Sequence, residues 1–294
     1  MTDADPTTSA AEGANEAPER KDDRHHAVSI SRVTKVFRGR GKGASEVTAL
    51  DGIDLDVAPG EFVSLIGPSG CGKSTLLRII GDLEQPTSGP VLVNGKPAHQ
   101  ARIDGDYGIV FQDAVLYEWR TVARNIGLPL ELAGWDRDRR TKRVGEMLEL
   151  VDLHGFDGHH PWQLSGGMQQ RVSIARALSF EPAILLMDEP FGALDEMTRE
   201  RLNMELLRIW EASGCTVVFV THSIAEAVFL STRVVVMSAR PGRIRGIVEI
   251  KLPQPRTSET RVDPQFFEQV AEVRRLLRGL EDDADLLVTG ESEA

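Results

Sequence analysis

The chain is 294 residues long, 41% hydrophobic, and carries a formal charge of −11 at pH 7. That is enough apolar material for one large domain or two modest ones, and no run of it approaches the ~18 residues that span a bilayer. The charge sits at the ends, −4 within residues 1–26 and −6 within 281–294, so the body is nearly neutral at −1, which argues against a phosphate-backbone-binding surface of the nucleic-acid type.

Both ends are polar, acidic and poor in aromatics, the composition of disordered, solvating tails. The N-terminal one, with Asp3 and Asp5 and no apolar core, does not read as a signal peptide. Cys71 and Cys215 suggest neither a disulfide framework nor a metal site, which points to a reducing compartment. His25, His26, His159 and His160 lack partners at ligand spacing, so no metal is expected beyond one carried by a nucleotide.

In chain order, alternation predicts half-buried strands over 28–31 and 50–57, and Ala58-Pro-Gly60 turns the chain into an apolar strand, 62–66. A short helix over 76–80 follows the next loop. Pro86-Thr-Ser-Gly89 is a turn, 91–93 a strand, Asn94-Gly95 a hairpin-type turn, and 108–111 a strand ending at Gln112. Residues 113–163 change character, with helical patterns over about 121–134 and 137–152, and read as an inserted helical subdomain. Alternation then resumes: a strand over 183–187, a helix over 196–213, a strand over 216–220, a helix over 224–230, and strands over 234–237 and 247–252. Buried strands alternating with helices imply an α/β core with a mostly parallel sheet, plus an antiparallel β piece near the N-terminus. From Asp263-Pro264 a last helix runs to about Gly279, its apolar face either packed on the domain or offered to a partner.

Between the strand 62–66 and its helix stands Gly67-Pro68-Ser69-Gly70-Cys71-Gly72-Lys73-Ser74-Thr75. A glycine-rich loop in that setting points successive backbone N–H groups at a phosphate, backed by a helix N-terminus. Lys73 reaches the β- and γ-phosphates and the Ser74 hydroxyl is placed for Mg²⁺, so the pattern implies nucleoside triphosphate binding. The strand 183–187 ends in Asp188-Glu189: Asp188 would hold Mg²⁺, and Glu189 would orient and deprotonate a water in line with the γ-phosphate. Ser165-Gly166-Gly167, ahead of an apolar helix, is a second anion-binding helix N-terminus. One subunit has no need of two γ-phosphate cradles, so this one is expected to close on the nucleotide of another copy.

With these motifs in this order, the chain resembles the ATP-binding subunit of an ABC (ATP-binding cassette) transporter over roughly residues 28–255. Within that family it is similar to the nitrate/sulfonate/taurine importer ATPases, through Phe111-Gln112, Trp119-Arg-Thr-Val122 with Asn125, Met168-Gln-Gln-Arg171, Asp188-Glu-Pro-Phe-Gly-Ala-Leu-Asp195 and Val220-Thr-His222 with Glu226-Ala-Val228. The resemblance implies a P-loop NTPase (RecA-like) core within a domain at 27–255, with a C-terminal helical extension at 256–280. It implies ATP with Mg²⁺, a dimer of two copies, integral membrane permease subunits, and indirectly a substrate-binding protein, at the cytoplasmic face of the membrane. It also assigns roles. Phe37 stacks on adenine, a core phenylalanine being the competing reading; Gln112 contacts Mg²⁺ and the attacking water; His222 bonds the γ-phosphate and holds Glu189; Asp195 belongs to the subunit contact. Glu118 stands where the family commonly has proline, and Ser223 where an acid commonly follows the histidine. The alternative is a soluble ATPase of the same superfamily acting on nucleic acid or the ribosome. That class would bring a coiled-coil insertion, accessory domains or a second cassette. Taurine, alkanesulfonate, nitrate and aromatic precursors stay open as cargo.

Overall fold

The computed structural model describes residues 26–39 and 45–290, the last eleven of these by backbone alone. Two sheets carry the fold. The first is antiparallel, ordered β2-β1-β4-β5, from β1 (Val28–Arg38), β2 (Glu46–Val57), β4 (Val91–Val93) and β5 (Lys96–Pro97). The second is ordered β10-β9-β3-β8-β7-β6. Its strands β3 (Phe62–Ile66), β6 (Tyr107–Val110), β7 (Ile184–Asp188), β8 (Thr216–Val220) and β9 (Arg233–Met237) run parallel, and only the edge strand β10 (Ile244–Glu249) is antiparallel.

Strands β3, β7 and β8 are buried throughout, as the continuous apolar runs of a sheet covered on both faces require. Their period-two alternation divides them between two cores. Phe62, Leu185, Met187, Val217 and Phe219 join one, filled by α6 (Gly166–Leu178), α7 (Glu196–Ser213), α8 (Ile224–Leu230) and α9 (Pro264–Gly290). Val63, Leu65, Ile184, Leu186 and Val218 join the other, shared with the antiparallel sheet and α1 (Lys73–Ile80). Among the described residues, no helix is long and apolar enough to cross a membrane.

The α/β class with a mostly parallel sheet is as expected, and the elements at 196–213, 216–220 and 224–230 form with the expected bounds. Elsewhere the structure differs. The helical pattern at 121–134 is two helices, α3 (Val122–Ile126) and α4 (Leu128–Leu132), because Gly127 and Pro129 interrupt it. The helix α5 (Arg137–Leu150) stops two residues early, and α2 (Ala98–Asp104) forms where no element was expected. The last strand lies at 244–249 rather than 247–252, and the strand expected at 183–187 is shifted by one, so that Asp188 is its final residue. The last helix continues past Gly279 to Gly290, across the expected start of the acidic tail at 281; residues 1–25 and 291–294 of the two tails lie outside the described residues.

Candidate functional site

The parallel strands β3, β7 and β8 deliver their C-terminal ends to one edge of the sheet, where open α/β folds bind ligands. From β3 the chain enters the 67–75 loop, with Gly70 and Gly72 at φ of 75° and 98°, backbone that a side chain would strain. Gly72 precedes α1 directly, so the helix N-terminus opens onto the loop. Lys73 is buried, and its Nζ donates to the carbonyls of Gly67 at 2.8 Å and Pro68 at 3.2 Å, which fixes the ammonium across the mouth of the loop. Burial pushes the neighbouring Cys71 thiol upward, so it stays protonated and inert.

Asp188, ending β7, accepts the Ser74 hydroxyl at 2.7 Å. A hydroxyl and a carboxylate oxygen in contact at the phosphate loop are the hard oxygen donors that suit Mg²⁺. Glu189 follows at φ 46°, an uncommon conformation for a non-glycine residue, and its N–H donates to the Val220 carbonyl at 3.0 Å. That turn carries its carboxylate off the sheet to His222, whose Nδ1 lies 3.1 Å from Glu189 Oε2. Gln112 converges on the same place: a methyl on Gly192 would lie 3.5 Å from Gln112 Nε2 and 3.6 Å from Glu189 Oε2. Together Gly67, Ser69, Gly70, Gly72, Lys73, Ser74, Thr75, Glu189 and His222 line a cleft of about 420 Å³.

Phe37 is outside that lining, but 41% exposed, so it is not a core residue. It stands directly opposite Val47 on the antiparallel sheet, and Ala49, two residues on at an irregularity in the β1–β2 register, does line the cleft. Phe37 and Val47 thus form an exposed apolar step beside the phosphate loop.

The structure does not bring Ser165-Gly166-Gly167 to this cleft. Ser165 caps α6 by accepting the Met168 N–H at 3.3 Å, and Ser165 and Gly166 are exposed while Gly167 packs under Thr198. Asp195 caps α7 in the same way, accepting the Thr198 N–H at 3.0 Å. That hydrogen bond holds its carboxyl below the usual range. Ser223 caps α8 through the Glu226 N–H, the task an acid would do there, which explains why serine can stand after the histidine.

A family model described as ABC transporter matches residues 50–192. An uncharacterized ABC transporter ATP-binding protein of Methanocaldococcus jannaschii is 48% identical over 85% of this chain and 91% of its own. The chain belongs to the ABC transporter ATP-binding subunits. ATP is therefore the nucleotide the chain binds, and its hydrolysis the activity. An aliphatic sulfonates import ATP-binding protein of Bacillus cereus is 45% identical, over 79% of this chain and 90% of that protein. A nitrate import ATP-binding protein of Synechocystis is 42% identical, over 86% and 96%. Among solved structures, a dimeric ATP-binding cassette in a post-hydrolysis state, bound to ADP and Pi, is similar at 37% identity, with a TM-score of 0.67 over 77% of this chain and all of that one.

Two further groups support the site from outside the cleft. The turn after β9 packs on the phosphate loop: Gly242 N–H donates to the Ala49 carbonyl at 3.0 Å, and Arg240 lies over Gly70. Only the Pro241-Gly242 pair hinted at a tight backbone approach. On the other flank Asn125, fully buried, donates to the carbonyls of Tyr117, Arg120 and Thr121 and accepts the Tyr117 N–H at 2.8 Å. It moulds the 117–121 loop so that Trp119 stands 71% exposed.

Proposed function

We propose that two copies of this chain sandwich two ATP molecules, each held by the Lys73 loop of one copy and the Ser165-Gly166-Gly167 helix end of the other. The observation that carries this is the division of labour within one chain: the cleft has its own phosphate loop, and the second anion-binding helix end faces solvent away from it. The dimeric state of the similar cassettes supports the same reading.

In the reaction, Glu189 Oε2 takes the proton of a water attacking the γ-phosphate. His222 holds that carboxylate through Nδ1, which leaves Nε2 to face the phosphate oxygens. Lys73 offsets charge on the β- and γ-phosphates, and the opposing helix N-terminus receives the γ-phosphate with free N–H groups. Ser74 and Asp188 would hold Mg²⁺, with Gln112 as a third oxygen donor. Bound there, the ion neutralises the charge that develops on the phosphate oxygens.

Closure of the sandwich drives an integral membrane permease, on which the chain sits peripherally at the cytoplasmic face. The docking surface is the 112–125 segment, where Tyr117, Trp119 and Val115 are exposed, beside a groove of about 1160 Å³ lined by Trp119, Arg120, Arg124, Glu131 and Arg137. Exposed aromatics and arginines are the usual anchors of an interface. The direction of transport is inward, and the solute is nitrate, a sulfonate, taurine or a related small molecule received through a substrate-binding protein. The names of the relatives at 45% and 42% identity support that class.

The test is Glu189→Gln. It retains ATP binding, loses turnover by about 10²–10⁴-fold, the usual worth of a general base, and sediments as an ATP-dependent dimer. Ser165→Arg in that background abolishes the dimer. Undiminished turnover, or a dimer that survives Ser165→Arg, refutes the assignment.

A further inference from the structure

The segment after β10 carries a cation into the interior, and the reaction above does not use it. Arg256 is 4% exposed, and its guanidinium donates to the carbonyls of Val228 at 3.2 Å, Phe229 at 2.5 Å and Ser231 at 2.6 Å. These lie at the C-terminal end of α8, where a helix leaves its last carbonyls without partners and a positive charge meets the negative end of the dipole. A planar, weakly hydrated guanidinium suits that buried, three-way task. The same extension closes on Phe229, which is fully buried. Arg261, in the single turn Ser258–Val262, lies over that ring at 3.9 Å, and Phe266, on α9, meets it edge-on with centroids 6.5 Å apart. Arg261 also pairs with Glu200 of α7 at 3.8 Å, which braces α8 against its neighbour.

The other end of α8 is bonded to both residues that flank His222. Ser223 Oγ accepts the Glu226 N–H at 3.3 Å, and the Thr221 hydroxyl donates to the carboxylate of Glu226, buried in the first turn of the helix. The Ser223 N–H donates to Thr221 Oγ1 at 3.0 Å, so the Thr221–His222–Ser223 turn is drawn onto the helix as one piece. With seven residues, α8 is about 10 Å long, two turns without a break.

We propose that Arg256 is a positioning residue for ATP hydrolysis: by gripping the C-terminal end of α8, it sets the place of His222 at the other end. The proposal rests on the reading above, in which His222 holds Glu189 and faces the γ-phosphate. A helix of two turns is too short to hold itself together, so its position is set by what binds its ends and its buried face. It is also too short to absorb a shift at one end without passing it to the other. The His222 ring is itself half exposed, with Glu189 as its partner at 3.1 Å, so the backbone of the turn decides where the ring stands. The C-terminal extension thereby belongs to the catalytic unit.

Arg256→Lys keeps a cation and an apolar stem but replaces the fork by a point charge that cannot span three carbonyls. Measured well below the unfolding midpoint, its kcat falls about tenfold, less than the ~10²-fold of a 1 Å misplacement. The KM for ATP stays within about twofold of the parent, because the phosphate loop is untouched. The ring NMR signals of His222, identified by their loss in His222→Ala, shift in Arg256→Lys, while those of His99 on α2 do not. In a double-mutant cycle with His222→Ala the effect of Arg256→Lys vanishes, because a group that acts through His222 has nothing left to position. Arg261→Gln, at a partly exposed side chain, removes the contact over Phe229 and lowers kcat about threefold. Parental kcat in Arg256→Lys, an unmoved His222 signal, or a loss that multiplies in full with that of His222→Ala overturns the proposal. Should Arg256→Lys fail to fold, parental kcat in Arg261→Gln overturns it. Parental turnover in His222→Ala would instead overturn the reading on which it rests.

Discussion

Gly242→Ala tests whether the turn after β9 sets the geometry of the phosphate loop. A Cβ at Gly242 would lie 2.1 Å from the Cys71 carbonyl oxygen and 2.9 Å from that of Ala49. Side-chain carbons do not approach within 3.0 Å, so one backbone must retreat by about 0.9 Å, the difference between 3.0 and 2.1. The turn is the better anchored of the two. Gly242 N–H donates to Ala49, Asp51 N–H donates to the Gly242 carbonyl, and the Arg243 guanidinium grips the Asp51 carboxylate. The loop therefore yields. A displacement of about 1 Å at groups that position a reacting centre costs on the order of 10²-fold in rate, and the overpacking itself destabilises by about 1–3 kcal/mol. Steady-state ATPase assays, ATP titration and thermal unfolding with and without ATP measure all three effects. Saturation at a hundredfold Kd stabilises the parent by about 2.7 kcal/mol, and that increment shrinks in the variant. Gly246→Ala is the control, since its Cβ would meet only the end of the Leu276 side chain at 3.3 Å. Parental ATP affinity and turnover in Gly242→Ala would refute the reasoning.

Phe37→Ala leaves folding stability nearly unchanged, because the ring is exposed, but weakens ATP binding about tenfold, within the ~1–3 kcal/mol of base–aromatic stacking; nucleotide titration checks it, and Phe37→Trp retains affinity. Asp195 titrates below its ordinary 3.8 when folded, so between the two values the unfolded chain binds the extra proton. Its contribution to stability is complete above 3.8 and is lost as pH falls through the folded value. Asp195→Asn, which keeps the cap, flattens that part of the profile in denaturant titrations between about pH 2 and 6.

Much of this was legible in the residues because the strongest signals are local. Buried parallel strands are apolar runs, and the Gly67–Thr75 loop, Asp188-Glu189 and His222 each end one. Their meeting in one cleft follows from strand direction alone, since β3, β7 and β8 are parallel neighbours in the sheet. What escaped was either short or tertiary. The helix α2 spans seven residues, too few to show a 3.6-residue period. The break at Gly127 is hidden in a pattern whose apolar face stays in phase across it. The contact of Gly242 with the phosphate loop, and the burial of Asn125 and Glu226, depend on segments far apart in the chain. A polar residue gives no sign in the sequence of whether its partners will be water or protein.

The helix α6 joins the two surfaces on which the proposed mechanism depends. Its N-terminus is the Ser165-Gly166-Gly167 end that would receive the second copy's ATP. Farther along the same helix, Gln170 donates to the Phe111 carbonyl at 3.0 Å, and Arg176 donates to the carbonyls of Ala114 and Val115 at 3.1 and 2.8 Å. These bonds grip the backbone on either side of Gln112, including Val115 at φ 46°, a conformation that a β-branched residue adopts only when held there. A segment pinned at three carbonyls cannot move independently of the helix. In the proposed mechanism, a rotation of α6 as its N-terminus closes on a γ-phosphate would therefore displace the segment that leads to the exposed Tyr117 and Trp119. The proposed docking surface and the proposed nucleotide contact are two ends of one element, which is what a device that converts ATP binding into displacement of a membrane partner would require.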